Sequence, residues 1–235
     1  MTPFRNKVLQ NLPPATIDRL HLKPVELPVE REIEFPGNVI HNIFFIEDGL
    51  GSMTATFRDG FQVEVGLFGY ESVIGISALM GTRRSLNRIF MQMPGRGYMA
   101  TMEAAQAEFD RAGDFQRLAL RYVQAQLTQA TQSAACNARH DVEQRLARWL
   151  LLCADRVQKS TFNISQQFLA DMLGVTRPSV SEIAGELRKD GLIEYKRSEV
   201  RIPSIEALEK KACECYLTLK EHLGNFLEYD SGFVI

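Results

Sequence analysis

Short apolar runs alternate with turn residues along the first hundred positions of the chain. The runs Ile43 to Ile46, Ser52 to Phe57, Gln62 to Leu67 and Arg88 to Met93 lie among "FPGN", "EDGLG", "FRDGF", "LFGYES", "LMGTRRS" and "MPGRG". Several alternate apolar with polar side chains, which is the period of a strand with one buried face, so an all-β roll or sandwich is predicted. A short amphipathic segment around Ala15 to Leu20, after "LPP", predicts an N-terminal helix. From Glu103 to Gln158 there is no proline and one glycine, Gly113, and the pattern turns helical. Leu120, Val123, Leu127, Ala130 and Ala134 recur every three or four positions and draw one stripe along a helix from about Phe115 to Asn137. The stripe thins to small residues that permit close helix approach. A parallel homodimer seam is the expectation, with packing against the β region as the alternative.

A second apolar face follows in "HDVEQRLARWLLLCADRV", where Asp141 is a candidate N-cap and Val142, Leu146, Trp149, Leu150 and Cys153 align. The stretch "ISQQFLADMLGVTRPSVSEIAGELRKDGLIEY" then predicts two short helices joined by a tight turn. Ser165 caps the first, whose Phe168, Leu169, Met172 and Leu173 fall on one side; Gly174 suits the left-handed residue that ends it, and Val175 is expected to be buried. Thr176 caps the second helix, Pro178 sits just inside it, and Val180, Ile183, Ala184 and Leu187 supply its inner face. Its outer face begins with short polar residues, which is what entry into a DNA major groove requires. Thr176, Arg177, Pro178, Ser179, Ser181 and Glu182 are therefore candidate DNA contacts, with Ser165 and Gln166 at the start of the preceding helix. "GLIEYKRSEVRI" predicts a two-stranded wing: Leu192 and Ile193 start one strand, Val200 and Ile202 belong to the other, and Lys196 and Arg197 near the tip can meet the sugar–phosphate backbone. The segment after Pro203 predicts a closing helix with Leu208, Cys215, Leu219 and Leu223 apolar.

Composition narrows the function classes. At 235 residues and 45% hydrophobic content the chain can bury one large or two modest cores. Its formal net charge is −2, and between Phe162 and Pro203 six basic side chains are matched by six acidic ones. DNA affinity must then come from where charges sit. The N-terminal apolar run is too short for a signal segment and nothing approaches the roughly 20 apolar residues of a membrane span, so a cytoplasmic protein without a membrane partner is expected. Cys136, Cys153, Cys213 and Cys215 lack the C-x-x-C spacing of a metal site and read as reduced packing thiols. His21, His41, His140 and His222 are scattered. His41 has no H-x-H neighbour of the kind a cupin-like metal enzyme uses, and no catalytic grouping is found. No catalytic residue and no metal site is predicted.

On these motifs the chain resembles the Crp/Fnr family of bacterial transcription regulators over nearly its whole length, from "FPGNVIHNIFFIEDGLGSM" to the winged helix pair. The resemblance implies an α+β chain with an N-terminal double-stranded β-helix, jelly-roll-like, over 1–112, a long dimerisation helix over 113–138, and a winged helix-turn-helix over 139–235. It implies a homodimer on a pseudo-palindromic operator in double-stranded DNA, a hinge near Asn137 to Asp141, and RNA polymerase as a partner for an activator. Arg177 stands where many members place a guanine-reading arginine, and Thr176 and Ser179 match phosphate-touching hydroxyls. Pro178 replaces a glutamate, and Glu182 occupies a site held by arginine in the best-known members. In cyclic-nucleotide-binding members a glutamate holds the ribose hydroxyl and an Arg-Ser pair holds the phosphate. Here "VIGISALMGTRRSL" puts Arg84 and Ser85, beside Arg83, at the phosphate pair, Ile76 at the glutamate, and Ala130 and Thr131 at the base. Isoleucine cannot accept from a hydroxyl, and burying that hydroxyl unpaired costs roughly 1–3 kcal/mol. Ordinary cyclic AMP binding is therefore not expected. A cyclic-nucleotide-responsive regulator anchored on Arg84 and Ser85 stands as the alternative. No cofactor is implied; an unidentified effector, a redox-sensitive thiol such as Cys153, or control by abundance remain open.

Overall fold

The computed structural model describes residues 3–225 and 227. Helices α1 (Lys7–Gln10) and α2 (Pro14–Leu20) lead into strands β1 (Lys23–Leu27), β2 (Glu32–Glu34), β3 (Asn42–Ile46), β4 (Leu50–Thr56), β5 (Gln62–Phe68), β6 (Val73–Ile74), β7 (Arg88–Met93) and β8 (Gly95–Thr101). These form two four-stranded sheets, ordered β1-β8-β3-β6 and β2-β7-β4-β5. Leu27, Phe44, Ile46 and Ile74 from the first sheet meet Phe68, Ile89 and Met91 from the second in one core. Within β3 and β7 these side chains stand two positions apart, as the strand period demands. The opposite face of β3 is buried as well, with the Phe45 and Phe115 rings 6.4 Å apart. That double burial is why "NIFFI" is a continuous apolar run rather than an alternating one. The β roll supplies the N-terminal part of an α+β chain.

Helix α3 (Met102–Phe109) opens on a Thr101 cap, and helix α4 (Asp114–Arg139) follows. Then come α5 (Val142–Val157), β9 (Thr161–Asn163), α6 (Gln166–Leu173), α7 (Arg177–Lys189), β10 (Glu194–Lys196), β11 (Glu199–Arg201), α8 (Ile205–Glu209) and α9 (Cys215–Asn225). By contacts the chain divides into two units: Met1–Met53, Leu67–Thr128 and Glu221–Ile235 in one, Thr54–Gly66 and Gln129–Lys220 in the other. Among the described residues, no helix is long and apolar enough to cross a membrane.

The expected stripe on α4 is the face that stays outside. Leu120 and Leu127 are 48% and 63% exposed, Ala134 is exposed, and Val123 and Ala130 are half-buried. Burial within the chain falls instead on Phe115, Leu118, Tyr122, Ala125, Gln129 and Cys136. Leu120, Leu127 and Ala134 of this stripe are therefore not packed within the chain. The long helix has two faces, of which the chain itself covers one.

Candidate nucleic-acid interface

The second unit builds its helix pair from local rules. The Ser165 Oγ accepts from the Phe168 N–H at 3.1 Å and caps α6. Gly174 ends α6 with φ 65°, the left-handed turn that glycine adopts without strain, and a Cβ there would also crowd Val63 Cγ2 at 3.1 Å. The Val175 N–H donates to Ala170 O at 3.0 Å, which locks the turn although Val175 itself is half-buried rather than buried. Thr176 Oγ1 lies 2.9 Å from Ser179 Oγ and accepts from the Ser179 N–H at 3.4 Å, capping α7. Pro178 occupies the first turn, where its missing N–H breaks no bond.

Beneath this pair Val180, Ala184 and Leu187 are buried, whereas Phe168 and Ile183 are half-buried. Thr176, Arg177, Pro178, Ser181 and Glu182 are exposed, Ser179 is half-buried, and Ser165 and Gln166 are exposed and half-buried. The sequence-predicted contacts of α7 thus come together at its first two turns. A helix start carries partial positive charge and free N–H groups, so an anion is favoured there and an outward arginine can read the neighbouring base edge. Arg188 and Lys189 in the last turn complement the other end of the dipole.

The wing is a three-stranded sheet, β10-β11-β9, not the two strands expected. Leu192 and Ile193 precede β10, and Ile202 follows β11, its N–H donating to Ser160 O at 2.8 Å. Glu194 faces Arg201 in the ladder, and Arg201 Nη1 donates to both Glu194 carboxylate oxygens at 3.1 Å. Lys196 and Arg197 are exposed, and Arg197 takes the left-handed backbone, φ 58°, that tight hairpin turns use. Sequence reasoning missed two residues that position the site. The Tyr195 hydroxyl donates to Ile164 O at 2.5 Å and ties the wing to the start of α6, and burial pushes the Tyr195 pKa up. Arg145, buried on α5, donates through Nη2 to Leu173 O and so neutralises the carbonyl end of α6. Neither pairing has a local sequence signature.

In the first unit Ile76 is buried just after Gly75, which has φ 93°. Arg83 and Arg84 are exposed, and Arg84 Nη1 donates to Gly37 O at 2.7 Å. Ser85 points elsewhere: its Oγ lies 2.5 Å from Glu34 Oε2, 2.9 Å from Asn87 O and 3.2 Å from Asn87 N. One hydroxyl proton cannot serve both a carboxylate and a carbonyl. A protonated Glu34 donating to Ser85 Oγ, with Ser85 donating to Asn87 O, satisfies every group. Burial pushes the Glu34 pKa up and outweighs the lowering effect of the bonds that its ionised form would accept from Ser85 and Gly75. The folded chain therefore holds this proton more tightly than the unfolded one. The resulting stability is complete below the unfolded carboxyl range, about pH 4.3, and is lost as pH rises through the raised value. Glu34→Gln retains a donor toward Ser85 and removes the titration, so at neutral pH it should melt no lower than the parent and show a flatter pH profile. Melting across pH checks this, and a variant that loses stability equally at all pH values would contradict a protonated Glu34. Ala130 and Thr131, the expected base contacts, belong to the second unit, half-buried and exposed respectively.

A profile of the Crp-like helix-turn-helix domain matches residues 144–211. The chain is 24% identical over 223 residues to the global nitrogen regulator of Synechocystis sp., covering 88% of this chain and 93% of that protein. A Crp/Fnr-family transcriptional regulator from Eubacterium rectale superposes with a TM-score of 0.69 at 13% identity, over 88% of this chain and 97% of that one. The c-di-GMP responsive global regulator of Xanthomonas campestris gives 0.66 at 20% identity, over 81% and 99%. These structures share the fold described above.

Proposed function

We propose that the chain is a DNA-binding transcription regulator of the Crp/Fnr type, not an enzyme, and that it reads a pseudo-palindromic operator as a homodimer through the first turns of α7; the Crp-like helix-turn-helix match and the likeness to the global nitrogen regulator support this reading. The observation that carries this reading is the exposed, capped start of α7, where Thr176, Arg177 and Ser179 stand together. Arg177 is assigned to a guanine edge, Thr176 and Ser179 to phosphate, with Ser181 and Glu182 alongside; Lys196 and Arg197 in the wing, and Ser165 and Gln166 at α6, meet the backbone. The two recognition helices of a dimer would enter successive major grooves about one helical turn apart. The functional division follows the regions 1–112, 113–138 and 139–235, with a hinge at the break between α4 and α5. Its place of action is the cytoplasm, and as an activator it would also touch RNA polymerase.

Selection of bound fragments from genomic DNA supplies the operator for the test. Arg177→Ala should weaken binding by about 1–3 kcal/mol and relax specificity at one base position, with folding unchanged because the side chain is exposed. Unaltered affinity and unaltered base preference would remove Arg177 from the readout.

We further infer that cyclic AMP and cyclic GMP are not effectors. A carboxyl group sits against Ser85, Ile76 offers no acceptor, and Arg84 is engaged by Gly37. Calorimetric titration should give no micromolar binding with either nucleotide; a saturable heat would restore Arg84 as an anchor.

A further inference from the structure

Read as separate packing thiols in the sequence, Cys136, Cys213 and Cys215 form one buried cluster in the folded chain. Cys136 lies one helical turn before His140, whose N–H donates to Cys136 O at 3.0 Å, so both side chains leave the same face at the end of α4. Cys213 and Cys215 come from the turn that starts α9. The four candidate ligand atoms, three sulfurs and one ring nitrogen, all lie within 4.8 Å of one another.

We propose that Cys136, His140, Cys213 and Cys215 bind a single zinc ion in a closed tetrahedral site. Zinc with three thiolates and an imidazole is an established structural donor set, and Zn–S bonds near 2.3 Å make the edge of such a tetrahedron about 3.8 Å. Cys136 and Cys213 sulfurs are 3.5 Å apart, and Cys215 Sγ is 3.6 Å from His140 Nδ1. An iron–sulfur cluster attaches its thiolates to different irons and needs them farther apart, so the spacing favours one ion. The surroundings are those of a metal centre. His140 turns Nδ1 toward the sulfurs while Nε2 lies 3.3 Å from Glu214 Oε2, the arrangement that fixes a ligating ring. Gln132 Nε2 donates to Cys215 Sγ at 3.0 Å, a bond that favours a thiolate. Three thiolates and one Zn²⁺ leave a charge of −1, and Arg148, buried with its Nε lacking a hydrogen-bond partner among the described residues, supplies a positive charge in the same interior. Four protein ligands leave no open position, so the ion would clamp the end of α4 to the start of α9 within the second unit rather than activate water. Because thiols release protons when they bind zinc, affinity should fall with acid.

The full-length protein, purified in reductant without chelator, should carry about one zinc per chain by elemental mass spectrometry. Cys213→Ser and His140→Ala should lose it. Since buried substitutions can unfold the chain, two further measurements stand apart from them. Metal-stripped wild-type protein titrated with Co²⁺ should show the intense visible bands of tetrahedral cobalt and a near-ultraviolet sulfur-to-metal transition. Glu214→Gln, at an exposed side chain, should keep the site but weaken zinc roughly tenfold in a chelator competition. Colourless Co²⁺ mixtures with zinc far below one per chain would overturn the proposal. So would a full zinc complement in folded Cys213→Ser, or an iron chromophore in place of zinc.

Discussion

Replacing Leu120 and Leu127 together by glutamate is expected to leave the protein monomeric and to weaken operator binding by roughly 10²–10⁴-fold, the avidity lost when two linked half-site contacts become one. These are the exposed large hydrophobic side chains of α4, and they sit in a 3-4-3-4 series with Val123, Ala130 and Ala134. That series is the seam period of two helices wound together. An isolated chain gains nothing by holding such a stripe in water, and a stripe this long asks for a partner. Charges facing each other across the seam would repel and would also need desolvation, whereas in the separated chain both positions already meet water. The substitution should therefore dissociate the proposed dimer without unfolding the subunit. Sedimentation would report the mass, circular dichroism the fold, and titrations on full and half operators the coupling. Half-site affinity should survive. A variant that stays dimeric with full operator affinity would place the dimer contact elsewhere.

The same helix shows what the sequence could and could not say. Its length was legible, from about Phe115 to Asn137 against Asp114–Arg139 observed, because helix formers run there without proline. Its exposed stripe was legible because it is uniformly apolar. The buried face was not, since Gln129 and Ser133 interrupt it and only the fold shows that they are covered. The four strand runs named in the roll, β3, β4, β5 and β7, were placed to within two residues, where alternation and turn residues agree; β1, β2, β6 and β8 were not named. β9 escaped notice because three residues with one apolar side chain carry no period, and its pairing to β11 is fixed by a distant partner. The caps of α6 and α7 and the exposed start of α7 could be read directly, since caps and turns act over four residues. Contacts that depend on distant chain segments could not. Glu34 and Ser85 are 51 positions apart, and the tyrosine clip at Ile164 spans 31. The cysteine cluster is the extreme case: a search for paired local cysteines passes over ligands gathered from two chain segments, although the i, i+4 spacing of Cys136 and His140 was present throughout.

Trp149→Ala should lower the stability of the second unit by about 3–5 kcal/mol, the range for truncating a fully buried aromatic. Trp149 is buried on α5 with Leu146, Leu150 and Cys153 on the same face, and α5 packs against α6 and α8. The side chain has a second attachment. Its Nε1 donates to Glu64 Oε1 at 2.8 Å, which ties the tip of the β4–β5 hairpin to the helix that supports the recognition pair. Alanine removes the ring and leaves a cavity among well-packed neighbours, and it deletes the hydrogen bond. Phenylalanine keeps most of the ring, so Trp149→Phe should cost less, about 1–2 kcal/mol. Against a typical domain stability of about 5–15 kcal/mol the alanine variant remains foldable but loses a large fraction of its margin. Because Trp149 is the sole tryptophan, unfolding in urea must be followed by circular dichroism rather than by its fluorescence. DNA binding separates this effect from that of Arg177. At low temperature, where the variant is folded, operator affinity should be close to that of the parent, and it should collapse on warming in step with the melting curve. If binding were lost while the unfolding midpoint stayed fixed, Trp149 would act on the recognition surface directly, and the role of α5 as its supporting platform would have to be abandoned.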